Sequence, residues 1–189
     1  MSSTEQAIRT IRETIARSEV PEDPPHAEDT LRWVLKLDPK ADQALQIAAL
    51  AHDIDRAVTA RKVHREEFTD YDEFKSAHAR NGAVILREIL QSSGVDDALC
   101  EEACRLVTLH EVGGDSRSDL LNNADSISYF SVNMPLYFQR EGWEETKRRC
   151  VWGYHRLSGE MKRVAQSLTY EREELNKLLQ TAIREAGHN

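Results

Sequence analysis

An all-α bundle is the fold that this sequence predicts, and three observations predict it. Apolar residues recur at the three- and four-residue spacing of a helical face in one segment after another. Breaks bearing proline or glycine separate those segments. No stretch shows the alternation of a half-buried strand, and no repeat or low-complexity tract interrupts the pattern.

The first helix is expected over residues 4–18, with Ala7, Ile8, Ile11 and Ile15 on one stripe. "VPEDPPHAED" then breaks the chain, because its three prolines lack N–H donors and fix φ. A second helix follows over 26–37 with Leu31, Val34 and Leu35 inward. "LDPKADQ" is the next break, and Pro39 suits the start of a third helix that runs to about Asp53. That helix, "LQIAALAHD", is apolar all round, which predicts a central position. A polar connection leads to a helix over 71–91, with Phe74, His78, Ile85, Leu86 and Ile89 available for burial and Gly94 as its stop. Asp96 or Asp97 starts another, with Leu99, Ala103, Leu106, Val107 and His110 inward, ended by "EVGGDSRS". A shorter helix is expected over 118–131. After "NMP" a long one is expected over 143–168, and a last amphipathic one over 170–185.

The 189 residues fit a single domain, 1–189. The net charge of −8 argues against a nucleic-acid-coating protein, which would need Lys and Arg to meet phosphates. The longest apolar run, 44–51, is far too short to cross a bilayer, so no membrane partner is expected. "MSSTEQAIRT" has no basic stretch followed by an apolar one, and the three cysteines show no framework spacing. Both readings point to a reducing cytoplasm, with Cys100, Cys104 and Cys150 as small buried residues. The amphipathic C-terminal helices offer a face to a second copy, a homodimer.

Polar residues at the mouth of an apolar helix must be satisfied, since unpaired burial is costly. His52 and Asp53 stand at that mouth. His26 opens the second helix, His78 lies within the fourth, His110 ends the fifth and Asp125 lies on the sixth. Packed helices aim such inward residues at one centre. Imidazole and carboxylate together suit divalent iron, manganese, zinc, cobalt or nickel. Taken singly, His26 reads equally well as a helix-start residue, His78 as a core histidine, His110 as a helix C-cap and Asp125 as a backbone partner. His64, His155 and His188 lack such company and read as surface, structural and tail residues.

The order His, His-Asp, His, His, Asp resembles the HD-domain superfamily of metal-dependent phosphohydrolases. The pieces that carry the resemblance are "PPHAEDTLRWV", "ALAHDIDR", "SAHARNGAVIL", "VTLHEVGG" and "NNADSIS". It spans about residues 26–125 and implies an HD-domain helical bundle with a core of about 20–135 and extra terminal helices. It also implies that His26, His52, Asp53 and Asp125 hold one metal, that Asp53 bridges, and that His78 and His110 join it on a second. Two features depart from the pattern. Many two-metal members carry paired histidines where this chain has His110-Glu111, and the step from His110 to Asp125 is short. Glu111 reads either as a replacement ligand or as a solvated residue.

The chemistry implied is hydrolysis of a small phosphomonoester or phosphodiester, a nucleotide among the candidates, by water that the metals activate. Asp53 is the candidate to orient that water. Arg56, one turn on, is a candidate catalytic and substrate-binding residue, joined by Lys62 and Arg80 as phosphate holders. Arg61, Arg65 and Asn81 are further candidates in the same stretches. Gly113-Gly114 is either a flexible loop over the pocket or a helix stop. Two other readings share the ligand order: a di-iron oxygenase, as in some relatives, and a nucleotide-sensing module without catalysis.

Overall fold

The Ser2 hydroxyl accepts from the Glu5 N–H while the Glu5 carboxylate accepts from the Ser2 N–H, and this reciprocal cap starts helix α1, Ser3–Ile15. The structure, a computed structural model, describes residues 2–187. His188 lies outside them. Helices α2 (Asp23–Leu37), α3 (Gln43–Ala51) and α4 (Ile54–Ala57) follow, then α5 (Tyr71–Ser92), α6 (Asp97–Leu109) and α7 (Ser116–Ser128). A five-residue wide turn, Tyr129–Asn133, leads into α8 (Met134–Arg156), and α9 (Gly159–Ser167) and α10 (Glu173–Ala186) complete the chain. Among the described residues there is no strand, so the chain is all-α.

Acidic or hydroxyl side chains start most of these helices. Asp42, Asp70, Asp96, Asp115 and Ser158 each accept from backbone N–H groups of the first turn, satisfying donors that have no partner within the helix. Pro24 and Pro25 lie in the first turn of α2, where a missing N–H costs nothing.

Helix α3 is the centre of the molecule. Ala44, Leu45, Ile47, Ala48, Ala49, Leu50 and Ala51 are all buried. Its alanines let α1, α2, α6 and α7 approach it from several sides. Helix α5 lies against α6, and α2 lies against α7. The apolar face of α10, formed by Leu175, Leu178, Leu179 and Ala182, is buried, and α10 packs on α8 of the same chain. The face expected to be offered to a second copy is therefore covered internally.

Several boundaries differ from the sequence expectation, each for a local reason. The expected helix over 143–168 is two elements. Helix α8 starts earlier, at Met134 with Pro135 in its first turn, and runs through a break at Gly142 (φ 77°) to Arg156. Ser158 then caps α9 as a separate helix. Helix α3 stops at Ala51 rather than at Asp53, which leaves carbonyls free at its end. Gly113 (φ 69°) donates its N–H to the Leu109 carbonyl and so terminates α6; it is a helix stop and does not line the cavity described below.

Candidate metal centre

Four imidazoles converge where α2, α3, α5 and α6 meet. His52 and His110 are the C-cap residues of α3 and α6. Each helix ends there, so the carbonyl three residues back has lost its helical partner. The ring takes it: His52 Nδ1 donates to the Ala49 carbonyl at 2.9 Å, and His110 Nδ1 to the Val107 carbonyl at 2.7 Å. A carbonyl only accepts, so in both rings Nδ1 carries a proton, and in the neutral ring the lone pair is on Nε2. His78 Nδ1 lies 2.9 Å from Asp55 Oδ2, and His26 Nδ1 lies 2.9 Å from Ser128 Oγ. Ser128 donates to the His26 carbonyl at 3.4 Å, which leaves its oxygen free to accept from the ring. All four rings are therefore pinned through Nδ1, and all four present Nε2 inward.

Those Nε2 atoms fall into two groups. His26 and His52 meet Asp125: His26 Nε2 lies 3.0 Å and His52 Nε2 3.6 Å from Asp125 Oδ1. His78 and His110 meet Asp53 and Glu111: His78 Nε2 lies 2.8 Å and His110 Nε2 4.0 Å from Asp53 Oδ1, and His110 Nε2 is 3.2 Å from Glu111 Oε1. Within each group the donor atoms lie within 4.8 Å of one another. Asp53 links the two. Its Oδ1 faces His78 and His110, while its Oδ2 is 3.9 Å from His26 Nε2 and 3.7 Å from His52 Nε2. The structure thus brings together all six residues singled out in the sequence, and Glu111 joins them as a seventh.

The arrangement is electrostatically incomplete as it stands. His26 Nε2 and His52 Nε2 face each other at 3.2 Å, and two lone pairs at that distance repel. His110 Nε2 and Glu111 Oε1 are buried without a hydrogen bond of acceptable geometry. A cation in each group would resolve both defects. A proton resolves one of them: burial opposes charge on His52, but Asp53 and Asp125 outweigh it and push its pKa up to about 9. Burial alone would likewise raise the carboxyls of Asp53, Asp125 and Glu111. Arg56 and the histidines hold Asp53 well below the usual range, His26 and His52 do the same for Asp125, and Lys75 and His110 for Glu111. The nitrogen and oxygen donors of each group stand at a spacing that could hold a metal ion.

Five further residues support the centre. Asp55 fixes the His78 tautomer, and Asn81, in hydrogen-bond contact with Asp55 Oδ1, steadies it. Lys75 contacts Glu111 Oε1, and Arg156 spans Glu111 Oε2 at 3.1 Å and Asp125 Oδ2 at 3.6 Å. Asn122 donates to the His110 and Glu111 carbonyls at 2.7 and 3.1 Å, tying α7 to the end of α6.

A cavity of about 670 Å³ opens on Asp53 and His78. Arg56 and Lys62 line it, as expected of phosphate holders. Arg56 is committed to the protein, however: its guanidinium lies 2.6 Å from Asp53 Oδ2 and 2.9 Å from Asp23 Oδ1. Arg80 corrects the sequence reading. It is exposed on the outer side of α5 and lines a separate surface hollow with Arg87 and Glu101. Arg61 is bound to Glu88, His64 is 3.7 Å from Glu66 and His155 is exposed on α8; none lines the cavity. Trp33 packs in the core, whereas Trp152 lines the cavity.

A protein-family model described as "Domain of unknown function (DUF4202)" matches residues 7–179. No curated protein and no solved structure matches the chain. No helix among the described residues is long and apolar enough to cross a membrane.

Proposed function

The chain belongs to the DUF4202 family, whose description names no activity, and from its site we propose that it is a metal-dependent phosphohydrolase of the HD type acting on a small phosphate ester. One observation carries the reading: four histidines tied through Nδ1 present four Nε2 lone pairs to three carboxylates, with Asp53 facing both groups. The order of these residues along the chain, His, His-Asp, His, His, Asp, supports it by its resemblance to the HD superfamily.

His26, His52 and Asp125 would hold one divalent ion, His78, His110 and Glu111 a second, and Asp53 would share an oxygen with each. Such ions lower the pKa of water and offset charge on a phosphoryl group. The chain's own residues do the rest. Arg56 keeps Asp53 ionised and fixes its carboxylate plane through Oδ2. Asp53, which lines the cavity, would orient the attacking water. Lys62, 3.6 Å from the exposed Glu19, is weakly engaged and can turn to a phosphate oxygen. The apolar flank of the cavity, Phe74 and Val63 among it, limits the water that reaches the floor.

The test is a metal analysis joined to a substrate screen. Full-length protein, stripped and reloaded with manganese, cobalt, nickel, zinc or, anaerobically, ferrous iron, is expected to bind two ions and to release phosphate from some phosphorylated metabolites. His52→Ala and Asp53→Ala are expected to lose metal and activity together. Unchanged metal content in both variants would overturn the centre itself. Two irons with oxygen uptake and no phosphate release would replace hydrolysis with oxygenation, and bound nucleotide without turnover would replace it with sensing.

A further inference from the structure

The cavity over Asp53 and His78 is lined by more cations than carboxylates. Arg56, Lys62, Arg65, Lys75, Arg148 and Arg149 line it, against the carboxylates of Asp53 and Glu145. This hollow lies in a chain of net charge −8, so it does not sample the general surface.

Four of the six cations already have carboxylate partners. Arg56 has Asp53 and Asp23, Lys62 has Glu19, Lys75 has Glu111 and Arg148 has Glu145. Arg65 and Arg149 have none among the described residues. The Arg149 guanidinium lies 4.2 Å from the Trp152 ring centre and 4.9 Å from that of Tyr129. Arg65 donates to the Phe68 carbonyl and lies 5.6 Å from the Tyr71 ring centre. Tyr71 in turn meets Trp152 edge-on at 5.7 Å. Aromatic faces orient a guanidinium without neutralising it. Trp152 also carries Arg156 at 4.7 Å, so it serves as a platform for arginines rather than for a ligand ring. The result is two oriented, unneutralised guanidiniums beside a candidate phosphate site.

Resting on the hydrolase reading for its first phosphate, we propose that the substrate is a small organic phosphate bearing a second anionic group, and that Arg149 with Arg65 forms the subsite for that group. The second group is a carboxylate or a further phosphate; a guanidinium fork suits both. A neutral or singly charged phosphate ester leaves these two arginines unmatched and binds less well.

Two matched pairs of probes test this: glycerol 3-phosphate against 3-phosphoglycerate, and adenosine 5′-monophosphate against adenosine 3′,5′-bisphosphate. Binding is measured by calorimetry on the metal-free full chain, and kcat/KM on the manganese-loaded enzyme. The wild type is expected to favour the doubly anionic member of at least one pair by about tenfold or more, the size of one charge-assisted hydrogen bond. Arg149→Gln and Arg65→Gln are expected to erase that preference while changing the single-phosphate member by less than about threefold. Arg149→Lys is expected to restore part of it. The favoured pair identifies the second group. Equal binding within both pairs, or an equal loss for both members in Arg149→Gln, would overturn the subsite. Calorimetry needs no turnover: an Arg149-dependent preference without phosphate release supports the subsite and removes the hydrolase, whereas phosphate release without preference does the reverse.

Discussion

Asp55→Asn tests the metal centre without touching a ligand. Asp55 is 1% exposed and accepts from three donors. His78 Nδ1 and the Val63 N–H reach Oδ2 at 2.9 and 3.3 Å, and Asn81 Nδ2 contacts Oδ1. An asparagine has one acceptor oxygen. If that oxygen stays with His78 and Val63, the new amide nitrogen faces the Asn81 amide nitrogen, donor against donor. If Asn81 flips to present its oxygen, it gives up its 2.7 Å hydrogen bond to the Arg61 carbonyl. If the new side chain flips instead, His78 loses its acceptor, and with it the reason for its proton to stay on Nδ1. A hydrogen bond to a charged group is worth about 1.5–3 kcal/mol, and 1.4 kcal/mol is about a factor of ten. The ion held by His78 is therefore expected to bind about 10- to 100-fold more weakly, as outer partners of metal ligands generally show.

The loss should be confined to one ion. His26, His52 and Asp125 make no contact with Asp55, and their Nδ1 partners are Ser128 and Ala49. Metal-free protein titrated against a chromophoric chelator should give two dissociation constants for the wild type. In Asp55→Asn one should be unchanged and the other weakened by that factor, with circular dichroism confirming an intact fold. Two unchanged constants in a folded variant would refute the argument that Asp55 orients His78, and equal weakening of both would refute the division into two groups.

Glu111→Gln removes a carboxylate from the same group and leaves Lys75 and Arg156 facing a neutral side chain; the second ion is expected to weaken at least about tenfold, read by the same titration, and retention of affinity would mark Glu111 as a counter-ion for Lys75 only. Metal uptake should strengthen with pH. The His52 pKa of about 9 means that a proton occupies the metal-facing side of the metal-free site below that value, so apparent affinity for the first ion should rise by about tenfold per pH unit and level off near pH 9. The sign for the metal-free fold is opposite. A raised pKa adds stability that is complete below about pH 6.5 and lost as pH rises through about 9, which urea titrations of the stripped protein at several pH values would show. Burial raises the Cys104 and Cys150 thiols to about 12; against an ordinary thiol near 8.5 their thiolate fraction at pH 8 falls by roughly a thousandfold, so both should resist a disulfide reagent until the chain is unfolded. Rapid reaction of either in native protein would contradict their placement.

The helical class was legible because it depends on near-neighbour order, and the six convergent residues because their order along the chain resembles that of a known superfamily. A helix such as α3, apolar on every side, must lie at the centre, and polar groups at its end must meet something. What the sequence left open depends on partners far along the chain. Glu111 was undecided between ligand and solvent, and Lys75 and Arg156, 36 and 45 positions away, hold it buried and out of solvent. Arg56 read as a free phosphate holder because its second partner, Asp23, lies at the start of a different helix. Arg80 read as a neighbour of the site because it is close to His78 in sequence, but two positions along a helix turn a side chain to another face. Asp55 did carry a readable signal: an acid two residues after the His-Asp pair, on the buried side of a short turn. The break before Ser158 carried one too, a serine followed by glycine and an acid, the pattern of a new helix start.

Two helix ends, facing residues on α2, α5 and α7, build this centre. His52 and His110 each occupy the position where a helix has just stopped and a carbonyl has lost its partner, and each returns its own Nδ1 to that carbonyl. The backbone defect and the side-chain tautomer are thereby resolved by one bond, and the same bond aims Nε2 away from the helix into the centre. Had α3 continued through Asp53, the N–H of Asp53 would take the Ala49 carbonyl, and the His52 ring would be free to choose either tautomer. The early end of α3 is thus what makes His52 a directed lone pair. It also explains why an apolar helix tolerates two polar residues at its mouth: one is satisfied by its own backbone on one side, the other by Arg56 and His78.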